Sequence, residues 1–256
     1  MIKLNRIYNE DCLEGMKRIP DGSVDCIICD LPYEVLNKGN EHAQWDRIIP
    51  FELLWEQYER VIKDNGAIVL FAQGMFTADL MISNRKLWRY NLIWQKAGRC
   101  SGFLNAKRMP LREHEDIAVF YKSLPTYNPQ MTKCEPHKRN HSRGKMEKEP
   151  TNRCYGNFGR PEDIITDLKY PKSILNFSRP HPQIHPTQKP VSLVEWLIKT
   201  YTNEGETILD NCIGSGTTAI AAIRTKRNFI GFELQKEYYD IANKRIKEEQ
   251  MQLSLF

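Results

Sequence analysis

The tetrapeptide Asp30-Leu31-Pro32-Tyr33 puts an acid, a fixed turn and an aromatic ring into four positions. It follows Val24-Asp25-Cys26-Ile27-Ile28-Cys29, an apolar, β-prone run that reads as a buried strand. The four residues fall where that strand ends, the edge at which open α/β sheets bind ligands. A carboxylate there can accept a hydrogen bond from an amino group. Pro32 fixes φ, gives up its own N–H and restricts Leu31, so the Leu31 carbonyl can be held in one direction. Tyr33 offers a flat face for stacking. Together they suit a planar base with an exocyclic amine. The plainer alternative is a strand-to-loop turn with an incidental tyrosine.

A second constellation lies far along the chain. Glu206-Thr207-Ile208-Leu209-Asp210 reads as a short strand running into Asn211-Cys212-Ile213-Gly214-Ser215-Gly216-Thr217-Thr218-Ala219, followed by a helix-like stretch to Thr225. Gly-x-Gly after a strand lets a ligand approach the backbone at a helix N-terminus. The next strand, Asn228 to Phe232, ends in Glu233, an acid placed to bind ribose hydroxyls of a nucleoside cofactor. Gly214-x-Gly216-x-x-Ala219 also fits a nicotinamide dinucleotide fingerprint, so an NAD-binding oxidoreductase is an alternative. Only about 40 residues follow Gly216, too few for the rest of a double βαβ fold. The remaining strands must come from upstream, which makes the sheet a permuted one.

These segments in this order resemble the amino-group DNA methyltransferases in their permuted (β) arrangement. The resemblance starts at Asn9-Glu10-Asp11-Cys12 and passes through Ser23-Val24-Asp25 to Asp30-Leu31-Pro32-Tyr33. It resumes at Leu92 to Lys96 and Arg112 to Phe120, and is densest from His185-Pro186-Thr187-Gln188-Lys189-Pro190 to Glu233. Leu31 stands where the family usually has Pro, and Cys212 where it usually has Phe. A backbone carbonyl at position 31 survives the first change.

The resemblance implies an α/β fold: a seven-stranded, Rossmann-like sheet that binds S-adenosylmethionine, circularly permuted, with an inserted basic target-recognition region. It divides the chain into a catalytic domain (1–121 and 180–250), a recognition region (122–179) and a tail (251–256). It implies that Asp11 and Cys12 meet the adenine of the cofactor. Asp210, Cys212, Gly214, Gly216 and Thr217 line its methionine end with Thr187 and Lys189 nearby, and Glu233 holds the ribose. The catalytic set is Asp30, Leu31, Pro32 and Tyr33, and no metal is required. The base is adenine N6, since Asp at the first motif position resembles the adenine enzymes; cytosine N4 is the alternative. A catalytically idle DNA-binding protein is a further one, separated by a transfer assay. The family includes dimers, but no interface can be read here. The recognition sequence and a restriction partner are not legible.

Composition agrees. The chain has 256 residues, 41% of them hydrophobic, enough for one large α/β domain with an inserted lobe. A formal net charge of +5 is a modest bias towards polyanions such as double-stranded DNA. No apolar run is long enough for a membrane span and Met1 to Arg6 is no signal peptide, so the expected setting is the bacterial cytoplasm. The seven cysteines lack regular spacing and suit reduced thiols. Cys26-x-x-Cys29 lies on one strand with its side chains on opposite faces. Cys134, His137, His141 and Cys154 match no zinc spacing.

Several elements must position these groups. Phe51 to Lys63 has helical periodicity, broken by Asp64-Asn65-Gly66 before a buried strand, Ala67 to Ala72. Met75 to Arg85 reads as a helix, and Tyr90 to Lys96 and Asp116 to Tyr121 as strands. Pro190 opens a helix to about Thr202, and Gln235 to Gln250 forms a charged one. Residues 122–179 break the pattern with twelve Lys or Arg against six Asp or Glu, and scattered aromatics. That mixture suits phosphate and base contacts. Lys38 to Trp45 reads as a lid or DNA-contacting loop. Gln252-Leu253-Ser254-Leu255-Phe256 resembles the peptide that docks in the pocket of a bacterial sliding clamp, with Leu255 and Phe256 as anchors.

Overall fold

The computed structural model describes residues 2–34, 46–98, 100–138, 165–180 and 188–253. The first half of the chain runs β1 (Arg6–Tyr8), α1 (Cys12–Met16), β2 (Val24–Asp30), α2 (Phe51–Val61), β3 (Ile62–Ala72), α3 (Met75–Ser83), β4 (Trp88–Gln95) and β5 (His114–Phe120). There follow β6 (Thr132–Lys138), β7 (Ile165–Lys169), β8 (Ile174–Asn176), α4 (Val191–Tyr201), β9 (Thr207–Asp210), α5 (Thr217–Arg224), β10 (Asn228–Phe232) and α6 (Lys236–Leu253). These fall into two compact units, residues 1–128 with 173–256, and residues 129–172.

In the larger unit one sheet has the order β1-β10-β9-β2-β3-β5-β4-β8. Its pairings are parallel except the two made by β5. The described residues thus give eight strands where seven were expected. The extra one is β8, three residues paired to the end of β4 from Ile93↔Ile174 to Gln95↔Asn176. The smaller unit is built on an antiparallel pair, β6 with β7, which runs from Thr132↔Lys169 to Lys138↔Ile165.

Alternation along the strands builds two cores. On β2, Cys26 and Ile28 face α4, α5 and α6, whereas Ile27 and Cys29 face α1, α2 and α3. Helix α5, after β9, packs on the first face through Ala219 and Ile220. Helix α2, after β2, packs on the second through Leu54 and Tyr58. Adjacent strands β9 and β2 therefore send their chains to opposite faces, the arrangement that opens a crevice at the carboxyl edge.

Two local differences from the expected elements have simple causes. Strand β3 begins at Ile62, directly after α2, and residues 63–66 form an irregularity between the pairs Val24↔Ile62 and Cys26↔Ala67. Helix α1 went unforeseen because it spans only five residues, but Asp11 caps it, its Oδ1 accepting N–H groups of Leu13 at 2.9 Å and Glu14 at 3.2 Å. Helix α6 reaches Leu253, so Gln252 of the clamp-like peptide is helical, whereas Leu255 and Phe256 lie outside the described residues. The lid-like segment from Lys38 to Trp45, His141 and Cys154 also lie outside them. Among the described residues no helix is long and apolar enough to cross a membrane.

Helix α1 carries Asp11 and Cys12, and it seats on β10 through a glycine. A Cβ on Gly15 would lie 2.2 Å from Cε1 of Phe232, a side chain fully buried in the core. Gly15→Ala should therefore destabilise the protein on balance, overpacking against Phe232 costing about 1–3 kcal/mol and the helix preference for alanine returning ~1 kcal/mol. Denaturant unfolding checks this; an unchanged midpoint would mean that α1 shifts freely on the sheet.

Candidate active site

A cavity of ≈ 500 Å³ opens at the carboxyl ends of β2, β9 and β10. That is the size of a pocket for a small cofactor. It is lined by Asp30 and Pro32 from the end of β2, and by Asp210, Cys212, Gly214 and Thr217 from the turn after β9. Glu233, Asp11, Cys12 and Lys189 complete the set. The two constellations separated by some 180 residues of sequence are thus one site, as the |i−j| of 182 between Thr207 and its β2 partner Asp25 illustrates.

Not every expected residue lines it. Leu31 is buried beneath the turn, at 3% exposure. Tyr33 lies beside the cavity rather than on its wall; its hydroxyl donates to Asp30 Oδ1 and its ring stacks on Phe76 with centroids 4.8 Å apart. Gly216 stands behind the wall with φ +84° and caps α5, where a Cβ would lie 3.0 Å from Cβ of Ala242. Its glycine is explained by helix packing. Thr187 lies outside the described residues.

The turn after β9 is held by its own acids. Asp210 Oδ2 accepts the Thr218 hydroxyl at 2.5 Å and Oδ1 the Cys212 N–H at 3.1 Å. Burial pushes the Asp210 carboxyl up to about 7 in spite of these bonds. Glu233 accepts the N–H groups of Gly214 at 2.9 Å and Gln235 at 2.7 Å, and burial raises its carboxyl as well. Asn211, fully enclosed, accepts the Tyr58 hydroxyl at 2.5 Å and donates towards the sulfurs of Cys12 and Cys212, 3.6 Å from each. It ties α2 and α1 to the glycine turn.

Asp30 is the best-connected group. Lys189 Nζ donates to its Oδ2, and also lies 3.3 Å from Glu115 Oε2 and 5.0 Å from the centroid of the Phe71 ring. Glu115 in turn pairs with Lys96 at 2.6 Å. Burial raises the Asp30 carboxyl, with Lys189 pulling the other way. For Glu115 burial is outweighed by the two lysines and the carboxyl is lowered; for Lys189 burial is outweighed by the two acids and the amine is raised. Lys189 was expected near the cofactor; it lines the cavity but is committed to these carboxylates. Sequence reasoning gave no part to Glu115, Lys96 or Asp46, although the first two sit in the segments that carry the resemblance. Asp46 Oδ1 accepts N–H groups of Tyr33 at 2.8 Å and Glu34 at 3.0 Å and so fixes the turn after Pro32. No nearby pattern marks it.

This arrangement, an acid at a strand end and a glycine turn against a nucleoside-sized cavity on a mostly parallel sheet, is that of an amino-group methyltransferase. Residues 24–244 match the DNA methylase family of N6 and N4 methyltransferases, and the chain belongs to it. The chain is 27% identical over 263 residues to the type II methyltransferase M.BglII of Bacillus subtilis, covering 93% of this chain and 68% of that one. It is likewise 27% identical over 269 residues to M.HinfI of Haemophilus influenzae, covering 96% and 69%. In structure it is similar to M1.HpyAVI in complex with SAM, with a TM-score of 0.59 and 24% identity over 94% of this chain and 98% of that one. The PvuII DNA methyltransferase, cytosine-N4-specific, gives a TM-score of 0.66 at 16% identity over 95% and 90%. The nicotinamide alternative is set aside by this membership; the activity that goes with it is methyl transfer to DNA.

The Asp210 carboxyl makes a pH dependence. Unfolded, it ionises near its ordinary 3.8; folded, it keeps its proton up to about 7, so its contribution to stability falls as pH rises through that window. Asp210→Asn should gain thermal stability relative to wild type between about pH 4 and pH 8. A difference in melting temperature that stays flat with pH would show that Asp210 does not hold the proton.

Proposed function

We propose that this chain transfers a methyl group from S-adenosylmethionine to the exocyclic N6 of an adenine in double-stranded DNA. The observation that carries the reading is Asp30, a half-buried carboxylate at the end of β2 on the wall of the cavity. An acid at this position in the motif supports adenine; cytosine N4 presents the same amine and is the alternative product.

The cavity fits the cofactor in size and in its polar groups. Glu233, Asp11, Cys12, Asp210 and Gly214 line one cavity, which supports Glu233 holding the ribose hydroxyls, Asp11 and Cys12 meeting the adenine, and Asp210 with Gly214 meeting the methionine end. When bound, S-adenosylmethionine supplies an electrophilic methyl on a sulfonium. The target base must leave the duplex to reach Asp30. Tyr33, beside the cavity with its ring packed against Phe76, would offer the flipped base the face that Phe76 leaves uncovered. An exocyclic amine is a weak nucleophile because its lone pair is delocalised into the ring. Asp30 and the Leu31 carbonyl each accept one of its N–H groups and favour a pyramidal nitrogen with a directed lone pair. The residues act by position and electrostatics. Cysteine attack on the ring has no part, and Cys29 is unsuited to it, since burial pushes its thiol up to about 12.

The order of the two half-sites supports the permuted arrangement: β2 with Asp30 precedes β9 and its glycine turn in sequence. The basic composition of residues 122–179 supports a role in target recognition. Docking to a sliding clamp rests on the sequence of the last five residues alone; a clamp pull-down that survives their deletion would end it.

The deciding measurement is methyl transfer from labelled S-adenosylmethionine to unmethylated DNA, followed by mass analysis of nucleosides. Wild type should give N6-methyladenine, and Asp30→Ala should lose at least roughly a hundredfold in rate while still binding cofactor. N4-methylcytosine would keep the mechanism and change the base. No product despite cofactor and DNA binding would favour the idle binder.

A further inference from the structure

Four charged side chains meet at the carboxyl edge of the sheet. Asp30 comes from the end of β2, Lys189 from just ahead of α4, Glu115 from β5 and Lys96 from just after β4. The lysines are almost wholly buried, with 3% of the Lys96 side chain and 8% of Lys189 exposed. Two acids and two lysines make the cluster neutral.

The acceptors in this cluster are used unequally. Both oxygens of Asp30 are taken, Oδ1 by the Tyr33 hydroxyl and Oδ2 by Lys189. Glu115 Oε1 is taken by Lys96 at 2.6 Å. Glu115 Oε2 lies 3.3 Å from Lys189 Nζ, near enough to share its charge, yet among the described residues it is the buried side-chain oxygen that accepts no hydrogen bond. A target amine arriving at Asp30 therefore meets an occupied carboxylate, while an unused acceptor waits on the far side of the occupying cation. A lysine left on Asp30 would also oppose the positive charge that grows on the amine nitrogen during transfer.

We propose that Glu115 is a positioning residue of the methyl-transfer site: its Oε2 is the second seat to which Lys189 shifts when the target amine takes Asp30 Oδ2. The inference rests on the reading of Asp30 as the amine's acceptor. The shift keeps Lys189 paired, because it exchanges one carboxylate for another. Asp30, which gives up its cation, gains the amine N–H in its place and faces the positive charge that grows on that nitrogen. Lys96 holds Glu115 in place and neutralises it. Without Glu115 the cluster carries surplus positive charge beside the reacting nitrogen, and Lys189 has nowhere to go.

The test uses a duplex on which wild-type methylation has been mapped, and the variants Glu115→Gln, Glu115→Asp and Lys96→Met, with S-adenosylmethionine affinity as the control for folding. Glu115→Gln should bind cofactor as wild type does and lose roughly tenfold or more in kcat. It should also lose the binding preference for the target base over an amine-free analogue at the same position, which needs no turnover to measure. Glu115→Asp, which keeps the charge, should keep the preference.

The groups facing Asp30 are Tyr33 on its own turn, Lys189, Glu115, and Cys29 and Asp210 beside it. Removing the negative Glu115 should move the acidic limb of kcat/KM to lower pH, and removing the positive Lys96 should move it to higher pH. Opposed shifts are the signature of a coupled network; a purely structural role would give none. Wild-type kcat and preference in Glu115→Gln, or limbs that move together, would overturn the proposal. Absence of methyl transfer by the wild type would overturn the reading of Asp30 beneath it, and this proposal with it.

Discussion

A carboxylate taken out of water at the end of a strand must find cations or give up its charge. Asp30 is such a group, and the cation that reaches it, Lys189, is 159 residues away in the chain. The need to bring the two together ties the first third of the protein to the last. Strands β4 and β5 contribute Lys96 and Glu115 to the same cluster, so the antiparallel side of the sheet is also part of it. An isolated pair of this kind gives little net stability, since desolvation offsets the attraction. What the cluster gives instead is a defined set of ion pairs at the edge of the cavity.

The cofactor side is organised by a different constraint, the need to satisfy the backbone of a tight turn. Glu233 and Asp210 do so from opposite sides, the first by accepting from Gly214 and Gln235, the second from Cys212 and the Thr218 hydroxyl. Asn211 links this turn to α1 and α2 through Tyr58 and the two sulfurs. The two halves of the site therefore meet across the boundary between β2 and β9.

Much of this was legible in the sequence because it follows from local pattern. The run Val24 to Cys29 alternates across two faces, and the acid and Pro after it must sit at the sheet edge; the glycine turn and Glu233 follow from strand–turn–helix spacing. The charge cluster was not legible. Glu115 and Lys96 sit at the ends of β5 and β4, where a charged residue ordinarily faces water, and only the antiparallel register Trp94↔Glu115 brings them to Asp30. Helix α1 was too short to show periodicity, and Asp46 acts on a turn a dozen residues away with no motif around it. Lys189 was placed near the cavity, but its carboxylate partners were not read, because spacing along the chain says nothing about which carboxylate a lysine reaches.

The cysteines around the cavity have one more property. Cys12 and Cys212 both face it, and the Cys212 thiol bonded towards Cys12 holds Cys12 below the usual thiol range against the effect of burial. The two sulfurs also share the Asn211 amide, 3.6 Å from each, so they form one patch on the cavity wall. A ligand in that cavity therefore meets sulfur, and not only oxygen and nitrogen, on the side of the wall that joins α1 to the glycine turn.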